Sequence, residues 1–466
     1  MYYKFKSKYL LRGWQKLPYA LVDNETKQIL FATAQLANVF HLCNGRMDSE
    51  SLIFTQQQRD VLEKMFEQGF LEKHSEPTSL LPEQEYHQYP SRFIRTAHWS
   101  ITGRCNYRCK HCFMSAPHAK YGELSREQCM RIVDQLAECG IFSVSLTGGE
   151  PLLRKDFMEI VDALLARNIN ITTIYSNGKL VDEELLKQLA ARGIRPEFNM
   201  SFDGVGQHDW LRGVDGAEEI VINAFRLCHE MGFPTGAELC LHRGNKDTLR
   251  ESIRLLRDLN VKSLKISPVV SVGEWSAMPP EMSLTDEEVY ETYLEYLPKY
   301  LEDGRPLRLM LGNLFVCDGS NQYTIPGYHN LSEAKAKNHC ICGHARNHMY
   351  IAADGRILPC MPLSGTDEIA ARFPSITETA LKDALNDSWY MSCIDTKLKD
   401  FLDQNEECGS CEHRLKCAGG CRGSALNYDS RNYYGVDRAA CLLFKNGYIE
   451  RLETIMKQGN MLRVGC

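Results

Sequence analysis

The stretch Cys105-Asn106-Tyr107-Arg108-Cys109-Lys110-His111-Cys112 decides how the rest of the chain is read. Three thiolates in a C-x3-C-x2-C spacing on a loop can hold three irons of a four-iron cluster and leave the fourth iron without a protein ligand. A structural zinc site wants four closed ligands. The one further candidate at customary spacing is His111, which lies between two of the cysteines, where its backbone is already committed. With 19 cysteines in 466 residues, such a triplet arises by chance with an expectation of roughly 0.03 per chain, so coincidence is a weak rival. Downstream, Leu146-Thr147-Gly148-Gly149-Glu150-Pro151 ends a strand-like run. Its glycines let the backbone approach a ligand closely, and Glu150 offers an acceptor for an ammonium group.

Length and composition set the frame for that loop. A chain of 466 residues, 44% hydrophobic, is long enough for two or three domains. Its net charge of -6 argues against non-specific nucleic-acid binding, which needs a basic footprint. The basic start, Met1 to Lys8, lacks the apolar run and cleavage site of a secretory signal, and no uninterrupted apolar stretch is long enough to span a bilayer. A cytoplasmic protein is expected, with no membrane partner. In that reducing compartment this many cysteines favour metal ligation over disulfides.

Residues 1–85 read as a small α+β unit. Two apolar strands flank an Asp-Asn turn near Asn24, helical patterns run from Thr33 to Leu42 and from Gln56 to Gln68, and Gly69-Phe70-Leu71-Glu72 closes it in the manner of a winged helix. Cys43 is expected as a core thiol. The proline-bearing stretch with Pro77, Pro82 and Pro90 reads as a linker, with 86–97 joining the units. From residue 98 to 315, six strands alternate with helices: His98–Thr102, Phe142–Thr147, Ile169–Tyr175, Arg195–Phe202, Gly236–His242 and Lys262–Ser267. This alternation predicts an α/β fold, a parallel partial (β/α)6 barrel. Such barrels carry their chemistry at the C-terminal strand ends, and Cys105, Gly148, Asn177 and Asp203 all fall just past a strand.

Residues 316–466 form a second cysteine field. Cys342-x12-Gly355-x4-Cys360 is followed by Cys408-x2-Cys411-x5-Cys417-x3-Cys421 and then Cys441. The four-Cys block has a chance expectation of roughly 0.001; two zinc knuckles remain the alternative, because thiolate spacing alone does not distinguish metals. Cys129, Cys139, Cys228, Cys240 and Cys393 fall in regular elements and are expected to be packing residues. Cys466 is a tail thiol.

On these residues the chain resembles the radical S-adenosylmethionine (radical SAM) superfamily. The triplet Cys105, Cys109 and Cys112 matches its C-x3-C-x2-C signature after the first barrel strand, and Gly148-Gly149-Glu150 its GGE motif. The resemblance implies that S-adenosyl-L-methionine chelates the open iron, that the GGE residues bind its amino group, and that one-electron cleavage gives a 5′-deoxyadenosyl radical. It also carries cofactor contacts to Ser176 and Asn177, to Ser201 and Asp203, to Arg212 as a partner of the cofactor carboxylate, and to Leu241 under the adenine, although a lone leucine after a strand reads first as core.

The second cysteine field resembles the seven-cysteine SPASM domain, which implies two auxiliary [4Fe-4S] clusters and three clusters in all. By that resemblance Cys342, Cys360 and Cys421 serve an inner cluster, and Cys408, Cys411, Cys417 and Cys441 an outer one. Seven ligands leave the inner cluster with an open iron or an eighth ligand, for which Cys340 and Cys317 are candidates. The first unit is similar to PqqD-like peptide-recognition domains, which implies a precursor peptide whose leader adds to its sheet edge. The whole resembles sactipeptide or ranthipeptide maturases. That implies cysteine-to-carbon thioether crosslinks in a ribosomally made peptide, with a flavodoxin or ferredoxin-type electron donor. Carbon–carbon crosslinking and epimerisation are alternatives. In anaerobic sulfatase maturases a catalytic aspartate follows the second SPASM cysteine; here Met361 follows Cys360. A noncatalytic electron carrier or peptide-binding scaffold is disfavoured by the GGE motif, since electron transfer needs no cofactor-binding glutamate.

Overall fold

Tyr2–Phe5 (β1) and Tyr9–Gln15 (β2) open the chain, and the second turns back through Leu17–Asp23 (β3) to Ile29–Phe31 (β4). The computed structural model describes residues 1–465; Cys466 lies outside the described residues. Thr33 caps the helix Ala34–Phe40 (α1), and Thr55 forms a capping box with Gln58 at the start of Gln56–Glu67 (α2). Asn44–Asp48 (β5) and Leu71–His74 (β6) pair antiparallel on either side of β1. Phe5, Phe40, Leu62, Met65 and the expected core thiol Cys43 are buried together beneath that three-stranded sheet.

The stretch 86–97 is not a free linker. His87–Arg92 (β7) pairs in parallel with β2 at the edge of a second sheet ordered β4-β3-β2-β7. The prolines that suggest a linker are compatible with this place, because Pro90 on an edge strand removes no shared ladder bond. Trp14 on β2 is fully buried, stacks on Tyr89 of β7 at 5.2 Å and donates to the Cys139 carbonyl at 3.1 Å. The first unit is thereby seated on the body that follows.

That body is one sheet. Thr96–Ser100 (β8), Ser143–Thr147 (β9), Asn170–Ser176 (β10), Glu197–Ser201 (β11), Thr235–Leu241 (β12) and Ser263–Pro268 (β13) lie in chain order, each parallel to the next. The helices Arg126–Glu138 (α3), Phe157–Ala166 (α4), Glu183–Ala191 (α5), His208–Arg212 (α6), Ala217–Glu230 (α7) and Leu249–Asp258 (α8) connect them. Their apolar faces explain the layering: on α3, Cys129, Ile132, Val133 and Leu136 recur at helical spacing and are buried. The outward-facing Leu146, Ile174, Phe198, Leu239 and Ile266 meet those faces in one core, each burial stabilising the fold by about 1.5–3 kcal/mol.

The six expected strands are present, and the sheet continues past them. Asp286–Glu302 (α9) leads to Arg308–Leu311 (β14), a seventh parallel strand beside β13. Phe315–Cys317 (β15) and Gln322–Thr324 (β16) then extend it antiparallel. At the other edge His348–Ile351 (β17), from the second cysteine field, runs parallel to β8 and pairs with Ile357–Leu358 (β18), while Leu462–Arg463 (β19) lies on β16. The cysteine-rich region is therefore built onto both edges of the barrel sheet.

Candidate active site

The triplet loop leaves β8 and is held by backbone bonds on three sides. The Gly149 N–H donates to the Thr102 carbonyl at 2.8 Å, and the Glu150 N–H to the Arg104 carbonyl at 2.9 Å, so the Gly-Gly turn after β9 lies directly against the loop. A Cβ on Gly149 would stand 2.2 Å from the Arg104 oxygen; only glycine permits this approach. On the far side the Arg108 and Lys110 N–H groups donate to Arg212 and Leu211, at the end of α6, at 3.2 and 2.9 Å. The Glu274 N–H reaches the Cys112 carbonyl at 3.0 Å.

Cys105, Cys109 and Cys112 line a single cavity of about 730 Å³. The Tyr107 N–H donates to the Cys105 sulfur at 3.4 Å and the Ala116 N–H to the Cys112 sulfur at 3.3 Å, the pattern that supports thiolates bound to a metal. Burial pushes the Cys105 thiol up to about 12 and raises Cys109 and Cys112 as well. Thiols this deep would ionise on coordinating a metal, which displaces the proton to solvent. Three converging sulfurs, two of them with backbone amide donors, on a loop opening into a cavity, fit a cluster with one open iron.

The other expected site residues divide between the cavity wall and the layer beneath it. Gly148, Gly149, Ser176, Asn177, Ser201 and Arg212 face the cavity. Glu150 is fully buried under the turn: its carboxylate accepts from the Asn177 N–H at 2.8 Å, the Leu152 N–H at 3.1 Å and the Ser176 hydroxyl at 3.0 Å. Burial lifts its pKa to about 7 against those donors. It thus ties the β9 turn to the β10 turn. Asn177 in turn donates to Asn106 at 2.8 Å.

Asp203 is also fully buried. It accepts from Arg212 Nε at 2.6 Å and from the Cys240 N–H at 3.1 Å, and pairs with His208 Nδ1 at 3.1 Å. Although burial opposes its charge, Arg212 and His208 hold its carboxyl far below the usual range. His111, Asp203 and Cys240 bring ligand atoms within 4.8 Å of one another, but the adjacent Arg212 already supplies Asp203 with its counter-charge.

Leu241, for which an adenine contact and a core place were both open, is 1% exposed and packs in the core on the helix side of β12, away from the cavity. Side chains alternate along a strand, so its neighbour Cys240, expected as packing, is the residue that faces the cavity. The lumen itself is polar where barrel interiors are usually branched and aliphatic. Lys265 Nζ donates to Glu238 at 3.1 Å, and His98 stacks on Tyr175 at 4.9 Å. His98 Nε2 and Asn199 Oδ1 are buried with no hydrogen-bond partner among the described residues. Burial, with Lys265 nearby, holds His98 neutral with a pKa of about 4. The motif reading missed these residues; their signal is a polar residue at alternate positions of strands that otherwise read as buried.

In the second field, Cys408, Cys411, Cys417 and Cys441 line one small apolar pocket with Phe444, Ala440 and Leu402, a closed four-sulfur donor set that fits a cluster. Cys342, Cys360 and Cys421 form a separate group. Burial raises the Cys342 and Cys360 thiols, and charge on Cys421 and Cys342 would raise Cys360 further. Cys360, with Met361 and Pro362, also lines the barrel cavity. Cys340 is buried with its sulfur 3.0 Å from both Arg346 Nη1 and Lys397 Nζ. Cys317 bonds locally to the Ser320 carbonyl at 3.5 Å. Cys129, Cys139, Cys228 and Cys393 are buried packing residues, as expected.

Residues 99–256 match the radical SAM superfamily, and residues 340–412 match SPASM, an iron-sulfur cluster-binding domain. The chain carries a radical SAM domain followed by a SPASM domain. The PqqA peptide cyclase of Granulibacter bethesdensis is 29% identical over 332 residues, 70% of this chain and 82% of the cyclase. The Fe-coproporphyrin III synthase of Methanosarcina barkeri is 30% identical over 48% of this chain and 57% of its own. Streptococcus suis SuiB, solved with its precursor peptide SuiA, superposes with a TM-score of 0.64 at 16% identity, covering 94% of this chain and 99% of SuiB. The matched radical SAM residues include the triplet loop, and the matched SPASM residues include Cys342, Cys360, Cys408 and Cys411.

Proposed function

We propose that this radical SAM/SPASM chain modifies a ribosomally made precursor peptide by joining a cysteine sulfur to a carbon through a thioether. One observation carries the reading: Cys360 of the SPASM domain and the triplet Cys105, Cys109 and Cys112 open onto the same cavity. A substrate thiol and a substrate carbon can both be presented inside one chamber. The relatives include a peptide cyclase, and the fold likeness to SuiB spans nearly the whole chain.

In this reading Cys105, Cys109 and Cys112 hold the first of three [4Fe-4S] clusters, and Cys342, Cys360 and Cys421 an inner and Cys408, Cys411, Cys417 and Cys441 an outer auxiliary one. When bound, S-adenosyl-L-methionine and these clusters supply the hydrogen-abstracting reagent and a one-electron acceptor. The protein does the positioning. Gly148 and Gly149 bring backbone close to the cofactor's amino-acid end, Glu150 locks Ser176 and Asn177 into the facing turn, and Ser201 offers a hydroxyl on the wall. Lys265, Glu238 and Asn199 orient the peptide side chain in the lumen. The peptide loses two hydrogens, one from carbon and one from sulfur, so an electron must leave with the second.

The edge strand β6 of the first unit suits an added leader strand, whereas on β5 the Gly45 carbonyl already accepts from the Thr78 N–H at 2.8 Å; Leu52, Ile53 and Phe66 are exposed in the same unit. A flavodoxin or ferredoxin-type donor supplies the first electron. No helix among the described residues is long and apolar enough to cross a membrane. The test is anaerobic reconstitution with S-adenosylmethionine, a reductant and a cysteine-containing precursor peptide sought in the neighbouring reading frames. Mass spectrometry should show loss of two hydrogens per crosslink and disappearance of one free thiol. Unchanged mass with an inverted residue would replace crosslinking with epimerisation, and loss of hydrogens with every thiol still free would indicate carbon–carbon bonding.

A further inference from the structure

We propose that Arg212 is a positioning residue that tunes the iron-sulfur centre of the first triplet, donating to the Cys109 sulfur and raising the centre's midpoint potential. The inference rests on the reading that this triplet holds a four-iron cluster. It assigns Arg212 a task separate from pairing with the cofactor's carboxylate.

The three sulfurs are not treated alike. Cys105 and Cys112 receive neutral backbone N–H groups, whereas Cys109 receives Arg212 Nη1 at 3.7 Å. Hydrogen bonds to cluster sulfurs and nearby net charge are main levers on such potentials, and a cation deep in a low-dielectric wall acts strongly. Arg212 is only 8% exposed. It is fixed from both ends: its carbonyl accepts the Arg108 N–H from the triplet loop, and its Nε donates to Asp203 at 2.6 Å.

Asp203 is itself held by the Cys240 N–H at 3.1 Å and by His208, and its backbone carbonyl accepts from Asn245 Nδ2 at 2.9 Å. Gly213, at φ +65°, lets the loop rest on the end of α6; a Cβ there would stand 2.5 Å from the Arg108 oxygen. The guanidinium is therefore aimed at one sulfur by a scaffold that does not depend on the cofactor. Asp203 partly offsets its charge, which fixes the signs of two substitutions. Removing the cation makes reduction harder, and removing the anion makes it easier.

The experiment is an EPR-monitored redox titration of the anaerobically reconstituted full chain without S-adenosylmethionine. The Cys105/Cys109/Cys112→Ala chain identifies which signal belongs to the triplet, and iron content is measured on every sample. Arg212→Gln should lower the equilibrium constant for one-electron reduction of that signal at least tenfold, or 59 mV. Asp203→Asn should shift it the other way, and Arg212→Lys should fall between wild type and Arg212→Gln. An unchanged potential in iron-replete Arg212→Gln, with weaker cofactor binding by equilibrium dialysis, would overturn the proposal and leave Arg212 a carboxylate partner. If Arg212→Gln does not assemble its iron, Asp203→Asn decides: a raised potential supports the proposal, and a lowered or unchanged one overturns it. A wild-type chain with no triplet-dependent signal would instead defeat the cluster reading on which the inference stands.

Discussion

Replacing Gly149 with alanine adds one methyl group at the point where the Gly-Gly turn meets the triplet loop. The new Cβ would stand 2.2 Å from the Arg104 oxygen, where ordinary contact begins near 3.4 Å, so the turn must retreat by about 1 Å. That retreat stretches two backbone bonds, Gly149 to Thr102 and Glu150 to Arg104. Each contributes about 0.5–1.5 kcal/mol, and the overpacking adds about 1–3 kcal/mol. The domain core is untouched, so the protein should fold with a lowered melting temperature. The chemistry should suffer more than the fold, since a displacement of about 1 Å at a positioning group costs on the order of 100-fold in rate. The assay is 5′-deoxyadenosine formation under dithionite, read beside a thermal melt and an iron determination. Gly365→Ala is the control, because its methyl would meet only Val272 at 3.7 Å. Gly149→Ala activity within threefold of wild type, with iron intact, would refute the claim that close approach of this turn builds the site.

Leu241→Ala should cost about 2–5 kcal/mol of stability from a core cavity yet leave cofactor affinity unchanged, as chemical denaturation and equilibrium binding will show. Substituting any one of Cys408, Cys411, Cys417 or Cys441 with alanine should cost about four irons per chain, leaving 5′-deoxyadenosine formation at the triplet and losing crosslinked peptide. In the cofactor-free chain, the Glu150 pKa is raised to about 7 from an unfolded value of 4.5. The folded state therefore keeps a proton that the unfolded state has lost, and this group's contribution falls as pH rises from 4.5 to 7, by about 3 kcal/mol. Glu150→Gln should flatten that part of the pH–stability curve measured by urea unfolding. Lys265→Met should preserve cofactor cleavage without peptide while lowering the yield of modified peptide at least tenfold, read by mass spectrometry.

The sequence exposes most strongly whatever depends on short spacing. The triplet and the Gly-Gly turn each pack their groups within a few residues, so local pattern and three-dimensional site coincide; the four-Cys block does so only in part, because Cys421 leaves it for a separate group and the distant Cys441 completes the pocket. The six barrel strands are legible for a similar reason: buried parallel strands and amphipathic helices alternate with clear periods. The seventh strand is less so, because Arg308–Leu311 is four residues long and gains its place only by pairing with β13. β7 is hidden by its own proline, which marks a loop unless one knows that the strand lies at an edge. Leu241 and Cys240 show a finer limit: adjacent residues exchange faces, so a motif transferred one position off lands in the core. Arg212 illustrates another. Its type and position suggest a carboxylate partner, but its orientation is set by Asp203 and the triplet loop, and contacts nine and 103 residues away leave no local trace.

The central claim is that the triplet holds a cluster whose bare iron takes S-adenosylmethionine. The most direct measurement is EPR of the reduced, anaerobically reconstituted chain before and after adding that cofactor. The account predicts a four-iron signal that is absent from the Cys105/Cys109/Cys112→Ala chain and changes shape when the cofactor binds. Zinc at the triplet, or a cluster signal that stays the same in saturating cofactor, would contradict it.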